Sequence, residues 1–168
     1  VTGGAGAQAG GAGTVYLRDE TPEGPYIVQT TPSSHTDDPN VTAVVLQLSA
    51  AVRGEAARNA STYTFMSLGA DRKVGGGDDR VIGVTPAYQD GSVQITLGLS
   101  EKLSEGLYRL TIKSGGPSGI EDLSGRPLDQ NRDGYGEDGV IDFEADFTAP
   151  TVAGVSAGSA LSFDGAND

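Results

Sequence analysis

Apolar and polar side chains alternate along three stretches of this chain, and a period of two is the spacing of a strand with one buried face. In "SVQITLGLS" the apolar set is Val93, Ile95, Leu97 and Leu99, separated by Ser92, Gln94, Thr96 and Gly98. In "GLYRLTIKS" Tyr108, Leu110 and Ile112 share a face. In "VIDFEADF" Ile141, Phe143, Ala145 and Phe147 point one way and Asp142, Glu144 and Asp146 the other. Helical periodicity is slight, and only "AAVRGEAARNA" reads as a helical turn, placed to join two sheets.

Further extended stretches lie upstream, each bounded by turn residues. "PYIVQTT" stops at Pro32, and "STYTFMSLG" and "VIGVTP" flank a Gly/Asp loop. "VTAVVLQLSA" is apolar on both faces, which suits a central strand. The turn-rich "SSHTDDPN" separates the first two strands. The fold class that follows is all-β: an Ig-like antiparallel β-sandwich of about seven strands with extended terminal arms. Gly106, Tyr108 and Leu110 have the spacing of a tyrosine corner, in which a strand tyrosine bonds back to upstream backbone. The alternative is an ordinary buried strand tyrosine.

At 168 residues the chain is long enough for one domain with a core. The division expected is a Gly/Ala-rich N-terminal arm with a short strand over 1–23, the sandwich over 24–148 and a C-terminal arm over 149–168. A formal charge of −12 argues against nucleic acid, whose phosphates select basic surfaces, and equally against an anionic membrane. No apolar run approaches the roughly 20 residues that span a bilayer. With no cysteine, disulfides and thiolate metal sites are excluded. A start at Val1 without methionine is what a cleaved signal peptide or a trimmed sequence would give.

The acidic residues are concentrated in one region. Between Gly119 and Thr148 nine carboxylates face two arginines, a net −7 out of the chain total of −12. Within it, "LDQNRDGYGEDG" places Asp129, Asn131, Asp133 and Gly134 at positions one, three, five and six of an EF-hand calcium loop. Tyr135 can offer its carbonyl at position seven, and Glu137 sits at nine. Position twelve, which should be a bidentate glutamate, is Val140, and no helices flank the run, so an EF-hand is ruled out. A missing ligand has three candidates: Asp138, Asp142, or Asp122 in the "EDLSG" turn upstream. The ion expected is Ca2+, because magnesium prefers octahedral, water-rich sites. A second loop, "GADRKVGGGDD", groups Asp71, Asp78 and Asp79 around three glycines, although Arg72 and Lys73 crowd it with positive charge.

Four stretches together resemble the calcium-binding bacterial Ig-like modules of secreted and surface proteins. They are "PYIVQTTPSS", "ASTYTFMSLGADRKVGGGDD", "DGSVQITLGLSEKLSEGLYRLTI" and "GIEDLSGRPLDQNRDGYGEDGVIDFEADF", and they cover most of Gly24 to Phe147. The resemblance implies that the "EDLSG" turn and the D-x-N-x-D-G run act together on one ion. It also implies a structural or adhesive role rather than catalysis.

Residues beyond the resemblance point the same way. His35 is the only histidine, in a turn-rich loop, with no nucleophile-elbow motif, so no enzyme is expected. "NVT" at Asn40 and "NAS" at Asn59 are formal glycosylation acceptors. Outside the sandwich, "TVYLRDE" and the segment with Val152, Val155, Ala157, Leu161 and Phe163 could each pair as a strand with an open sheet edge. The function expected is an extracellular structural subunit that polymerises with copies of itself through these arms. The alternative is a non-catalytic module of a tandem surface adhesin or secreted enzyme. Either leaves a carbohydrate or protein ligand open.

Overall fold

The computed structural model describes residues 23–148, so both terminal arms and the strands expected in them lie outside the described residues. Among the described residues nine strands form: β1 (Ile27–Thr31), β2 (His35–Thr36), β3 (Ala43–Leu48), β4 (Tyr63–Ser67), β5 (Arg80–Ile82), β6 (Val84–Tyr88), β7 (Gln94–Leu99), β8 (Gly106–Ile112) and β9 (Gly139–Ala145). Seven of them are five residues or longer, which is the number expected. One sheet runs β1-β3-β7-β6 and the other β2-β9-β8-β4-β5. Lettering the seven long strands A to G gives A-B-E-D against G-F-C, the strand order of an immunoglobulin-type sandwich. Every pairing is antiparallel except the two-residue β2, which runs parallel to β9. Among the described residues no helix is long and apolar enough to cross a membrane.

The alternation places the core. Ile95 and Leu97 of β7 and Val44 and Leu46 of β3 have no exposure, and they face Phe65, Tyr108, Leu110, Ile112 and Phe143 of the other sheet. Phe65 stacks on Tyr108 with centroids 5.6 Å apart and meets Phe143 edge-on at 6.0 Å. Val93 departs from the expectation: it precedes β7 and is 38% exposed, because the strand begins one residue later at Gln94. Among the described residues the buried cluster draws its members from Ile27 to Ala145, spanning both sheets.

The connection from sheet to sheet at "AAVRGEAARNA" is a four-residue helix, α1 (Gly54–Ala57), followed by a 3-10 turn over Ala60–Thr62. Two other features were not expected. "VIGVTP" is not one strand: the chain changes sheets at Gly83, with Ile82 paired to Phe65 and Val84 to Leu99. His35 lies on β2, not in a loop, because its backbone pairs with Glu144 of a strand over a hundred residues away.

The outer faces of the two sheets differ in chemistry. On the four-stranded sheet, register lines up Thr31, Val45, Thr96 and Ala87 in one row, and Gln29, Gln47 and Gln94 in the next. Ala43, Gly98 and Thr85 form a third. The five-stranded sheet instead carries a bidentate Arg109–Asp142 pair, at 2.7 and 2.8 Å, and an Arg72–Glu144 pair.

The tyrosine corner is present. The Tyr108 hydroxyl donates to the Ser104 carbonyl at 2.8 Å and accepts from the Ser104 N–H at 2.9 Å, while Leu110 is fully buried two residues on. Tyr108→Phe keeps the stacked ring but strands both Ser104 groups. It should lower stability by about 1–3 kcal/mol, read as a lower urea midpoint at unchanged m-value.

Candidate metal centre

The connection from β8 to β9 is 26 residues long and folds inward before it gathers its carboxylates. Bridges pair Ser114 with Ile120 and Glu121 with Pro127, which carry Ile120 and Leu128 into the core at 1% and 0% exposure. Asp122, at 3% exposure, closes the intervening turn. Its Oδ1 accepts the N–H groups of Ser124 and Arg126, both at 2.9 Å, and its Oδ2 accepts the Arg126 guanidinium at 2.6 Å. Burial alone would raise the Asp122 pKa, but the Arg126 N–H, the guanidinium and the Ser124 N–H together hold it below the usual carboxylate range.

Beyond Leu128 the chain curls around Asp129, itself 1% exposed. Asp129 accepts from the N–H of Asp133 at 3.2 Å and of Gly134 at 2.9 Å. Asn131 Oδ1 also accepts the Asp133 N–H at 2.9 Å, and Asp133 Oδ1 accepts from Tyr135 N–H at 2.9 Å. Glu137 reaches back to the Asn131 N–H at 2.7 Å. Alternate residues point inward because the curl brings Asp129 and Asp133 onto N–H groups two to five positions on and Glu137 onto one six positions back, and Gly134 supplies the left-handed turn at φ +89°.

Asp129, Asp133 and Glu137 thereby offer carboxylate oxygens within 4.8 Å of one another. None of the ion pairs among the described residues reaches any of the three. Two unit charges at the outer limit of that spacing repel by about 3.5 kcal/mol at an effective dielectric of about 20, so the trio favours a cation.

The structure does not bring the other expected ligands into this group. Asp122 is held in its own turn by Arg126. Asp138 accepts the Ser114 N–H at 2.8 Å and so pins the start of the long connection. Asp142 faces the opposite strand, where the hydrogen bond from Arg109 outweighs partial burial and keeps its pKa low. The Tyr135 side chain is 73% exposed, while Asn131 bonds to Asp133 through its amide at 3.2 Å and stays with the trio. Sequence reasoning missed Gln130. Its amide takes the Ile27 N–H at 2.8 Å and gives to the Ile27 carbonyl at 3.1 Å, as a neighbouring strand would. The available signal was its place between ligand positions, which points it away from the curl.

The β4–β5 loop forms a second group, with Asp71, Asp78 and Asp79 oxygens also within 4.8 Å of one another. Asp78 accepts from Ala70 N–H at 2.5 Å and Asp79 Oδ2 from Gly75 N–H at 2.6 Å. Asp79 Oδ1 is buried without a hydrogen-bond partner. A Cβ on Gly76 would lie 2.6 Å from Asp71 Oδ2 and 2.9 Å from Asp78 Oδ1, so any side chain there would push the two carboxylates out of their present places. Arg72 does not compete for them, since its guanidinium is turned out onto Glu144 of β9. The orphaned oxygen and the glycine cradle fit a small cation.

The two groups stand at opposite poles. The first lies where β4 begins and β8 ends, the register placing Tyr63 opposite Ile112. The second lies where β4 ends and β8 begins, near Ser67 and Tyr108.

Fold and loops define the class as an all-β sandwich with acidic clusters at both ends. Solved structures share that fold. PcoC of Escherichia coli, a methionine-rich copper resistance protein, superposes with a TM-score of 0.50 at 11% identity, over 73% of this chain and 98% of its own. Its selenomethionine form gives 0.51 and 11% over 71% and 98%. The N-terminal part of the bacterial S-layer protein SbsC gives 0.47 at 10% identity over 73% of this chain, which spans 23% of that one. No protein-family model matches the chain, and no curated protein matches its sequence.

Asp122 and Asp142 both have folded pKa values below their unfolded ones, so their contribution is complete above about pH 4 and is lost as pH falls through the folded values. Asp122→Asn should lower stability at neutral pH. It should also flatten the acid limb of a denaturation profile below about pH 4, measured by urea titration at each pH.

Proposed function

We propose that the chain is an extracellular structural subunit, a sandwich stabilised by calcium that joins copies of itself through its terminal arms. The observation that carries the reading is the pair of carboxylate trios at opposite poles, one with a buried oxygen left unpaired. Every carboxylate and amide ligand atom available in both loops is oxygen, which suits a hard cation such as calcium. Asp129, Asp133 and Glu137, with Asp71, Asp78 and Asp79, are the residues that would hold it. A bound ion would relieve the repulsion within each trio and add its binding free energy to folding. Copper, the metal in the description of PcoC, is a poorer match: the whole chain has one methionine, one histidine and no cysteine.

Support for the arms comes from β9. It pairs with β8 along its whole length but with β2 only at Glu144 and Ala145. Its outer edge from Gly139 to Phe143 therefore has no strand beside it among the described residues, and a strand from a neighbour could add there. Such an arm would extend the five-stranded sheet. A head-to-tail contact of this kind propagates into a filament or layer.

The reading is non-catalytic. His35 is exposed on an edge strand with Nδ1 3.9 Å from Glu144, an acidic neighbour rather than a nucleophile. A second reading, a module within a tandem surface protein, is favoured by the chain path. Residues before Ile27 arrive beside Asp129, whose N–H donates to the Pro25 carbonyl at 2.9 Å, and those after Ala145 leave at the opposite pole.

Calcium at about 100 times its Kd should stabilise the fold by about 2.7 kcal/mol, read as a higher Tm that chelator reverses and that Asp133→Ala reduces. An unchanged melting curve in chelator would remove the ion from the reading. Light scattering should show large assemblies on adding calcium, abolished by deleting residues 151–168. A monomer under both conditions favours the tandem module.

A further inference from the structure

The outer face of the four-stranded sheet stands apart from the rest of the molecule. Its three rows carry glutamine, threonine, valine, alanine and glycine and no charged residue, in a chain where 20% of residues are charged. The other sheet, by contrast, presents Arg109, Asp142, Glu144 and His35 on or beside its outer face. The difference is not a consequence of burial, since Gln29, Thr31, Thr85, Ala87 and Gln94 are all exposed.

We infer that this face is a self-association surface that meets the same face of a second copy. The partner follows from electrostatics. Two chains of −12 each repel on approach, and both the five-stranded sheet and the two acidic loops present carboxylates, which oppose their copies within the Debye length of about 8–10 Å. The uncharged face is the direction in which two copies reach contact without opposing like charges. Its side chains also suit close approach. Gly98, Ala43 and Ala87 keep parts of it low, and the Gln29–Gln47–Gln94 row presents amides that both donate and accept, so it can complement a copy of itself. At the corner near Ala87, Gln94 and Thr96 a depression of about 320 Å3 leaves room for a partner side chain. The contact is isologous, closing about a two-fold axis.

Magnitude sets its role. Four strands about 4.8 Å apart, each showing about five residues at about 3.3 Å per residue, give a face of roughly 300 Å2. A stable interface takes about 800 Å2 per partner, so this contact is weak alone. In this step the inference rests on the proposed assembly through the arms: between copies joined that way, effective concentration would replace free concentration and strengthen the contact. It uses neither the terminal arms nor the acidic loops.

The test is sedimentation of the full chain from about 10 μM to about 1 mM protein, at about 20 mM and about 500 mM NaCl, both with calcium and in chelator. The expected result is a mass that rises towards the dimer with concentration and rises further at high salt, because screening weakens the residual repulsion. Thr96→Glu and Ala87→Glu should weaken association at least about tenfold, as like charges face each other at the two-fold contact. Their melting curves should stay unchanged, and Thr64→Glu on the other sheet should have no effect. A mass that stays monomeric throughout, or association that salt weakens, or a dimer indifferent to both substitutions overturns the inference. So does a monomer in which Thr96→Cys resists a thiol reagent, since the chain's own arm then occupies the face.

Discussion

The structure depends on a long connection that behaves as core. Between β8 and β9 the chain could have looped through solvent, but Ile120 and Leu128 enter the sandwich and take the carboxylates of Asp122 and Asp129 with them. A buried carboxylate is tolerated only if its oxygens are satisfied, and each here takes two backbone N–H groups. Those bonds shape the "EDLSG" turn and the curl that follows. The same segment anchors its neighbours: Glu121 accepts from Arg53 N–H at the crossing between sheets, and Gln130 pairs with the end of β1. Ser118 accepts from the Thr62 hydroxyl where β4 begins. Opening the connection would therefore release the first strand, the crossing and the last strand together.

Charge is distributed in keeping with this arrangement. Asp122 and Asp142, each paired with an arginine, serve as struts, while the two carboxylate trios, bonded to backbone N–H groups but to no arginine or lysine, sit at the two poles. Between the poles, one sheet face carries paired charges and the other none. In an acidic molecule, like charges oppose contact between copies, so a face without charge is the one on which that repulsion is least.

The sheet edges are managed in the same economical way. β6 carries Pro86, which cannot donate to a further strand, and β5 has only three residues. β1 is disrupted between Ile27 and Gln29, and Gln130 occupies its first residue. Only the outer side of β9 ahead of Glu144 offers a run of backbone without such protection among the described residues.

By itself the sequence determined which residues face inward and what the loops are made of. The period of two in β7, β8 and β9 identified Ile95, Leu97, Tyr108, Leu110 and Phe143 as core, and the spacing of Gly106, Tyr108 and Leu110 announced the tyrosine corner. Asp129, Asp133 and Glu137 were legible as a group because a curling backbone must place alternate residues on one side. Tertiary structure decided the partners. Whether Val81 and Val84 belong to one strand or two, and that His35 pairs with Glu144, depends on sheets assembled from distant segments. Asp122, Asp138 and Asp142 look equivalent in sequence, yet Arg126, Ser114 and Arg109 claim them one by one. The uncharged face emerges only once register sets Gln29, Gln47 and Gln94 side by side. Alternation is a local property of the backbone, whereas pairing, charge compensation and surface patches are contacts between segments far apart in the chain, and those exist only in the folded molecule.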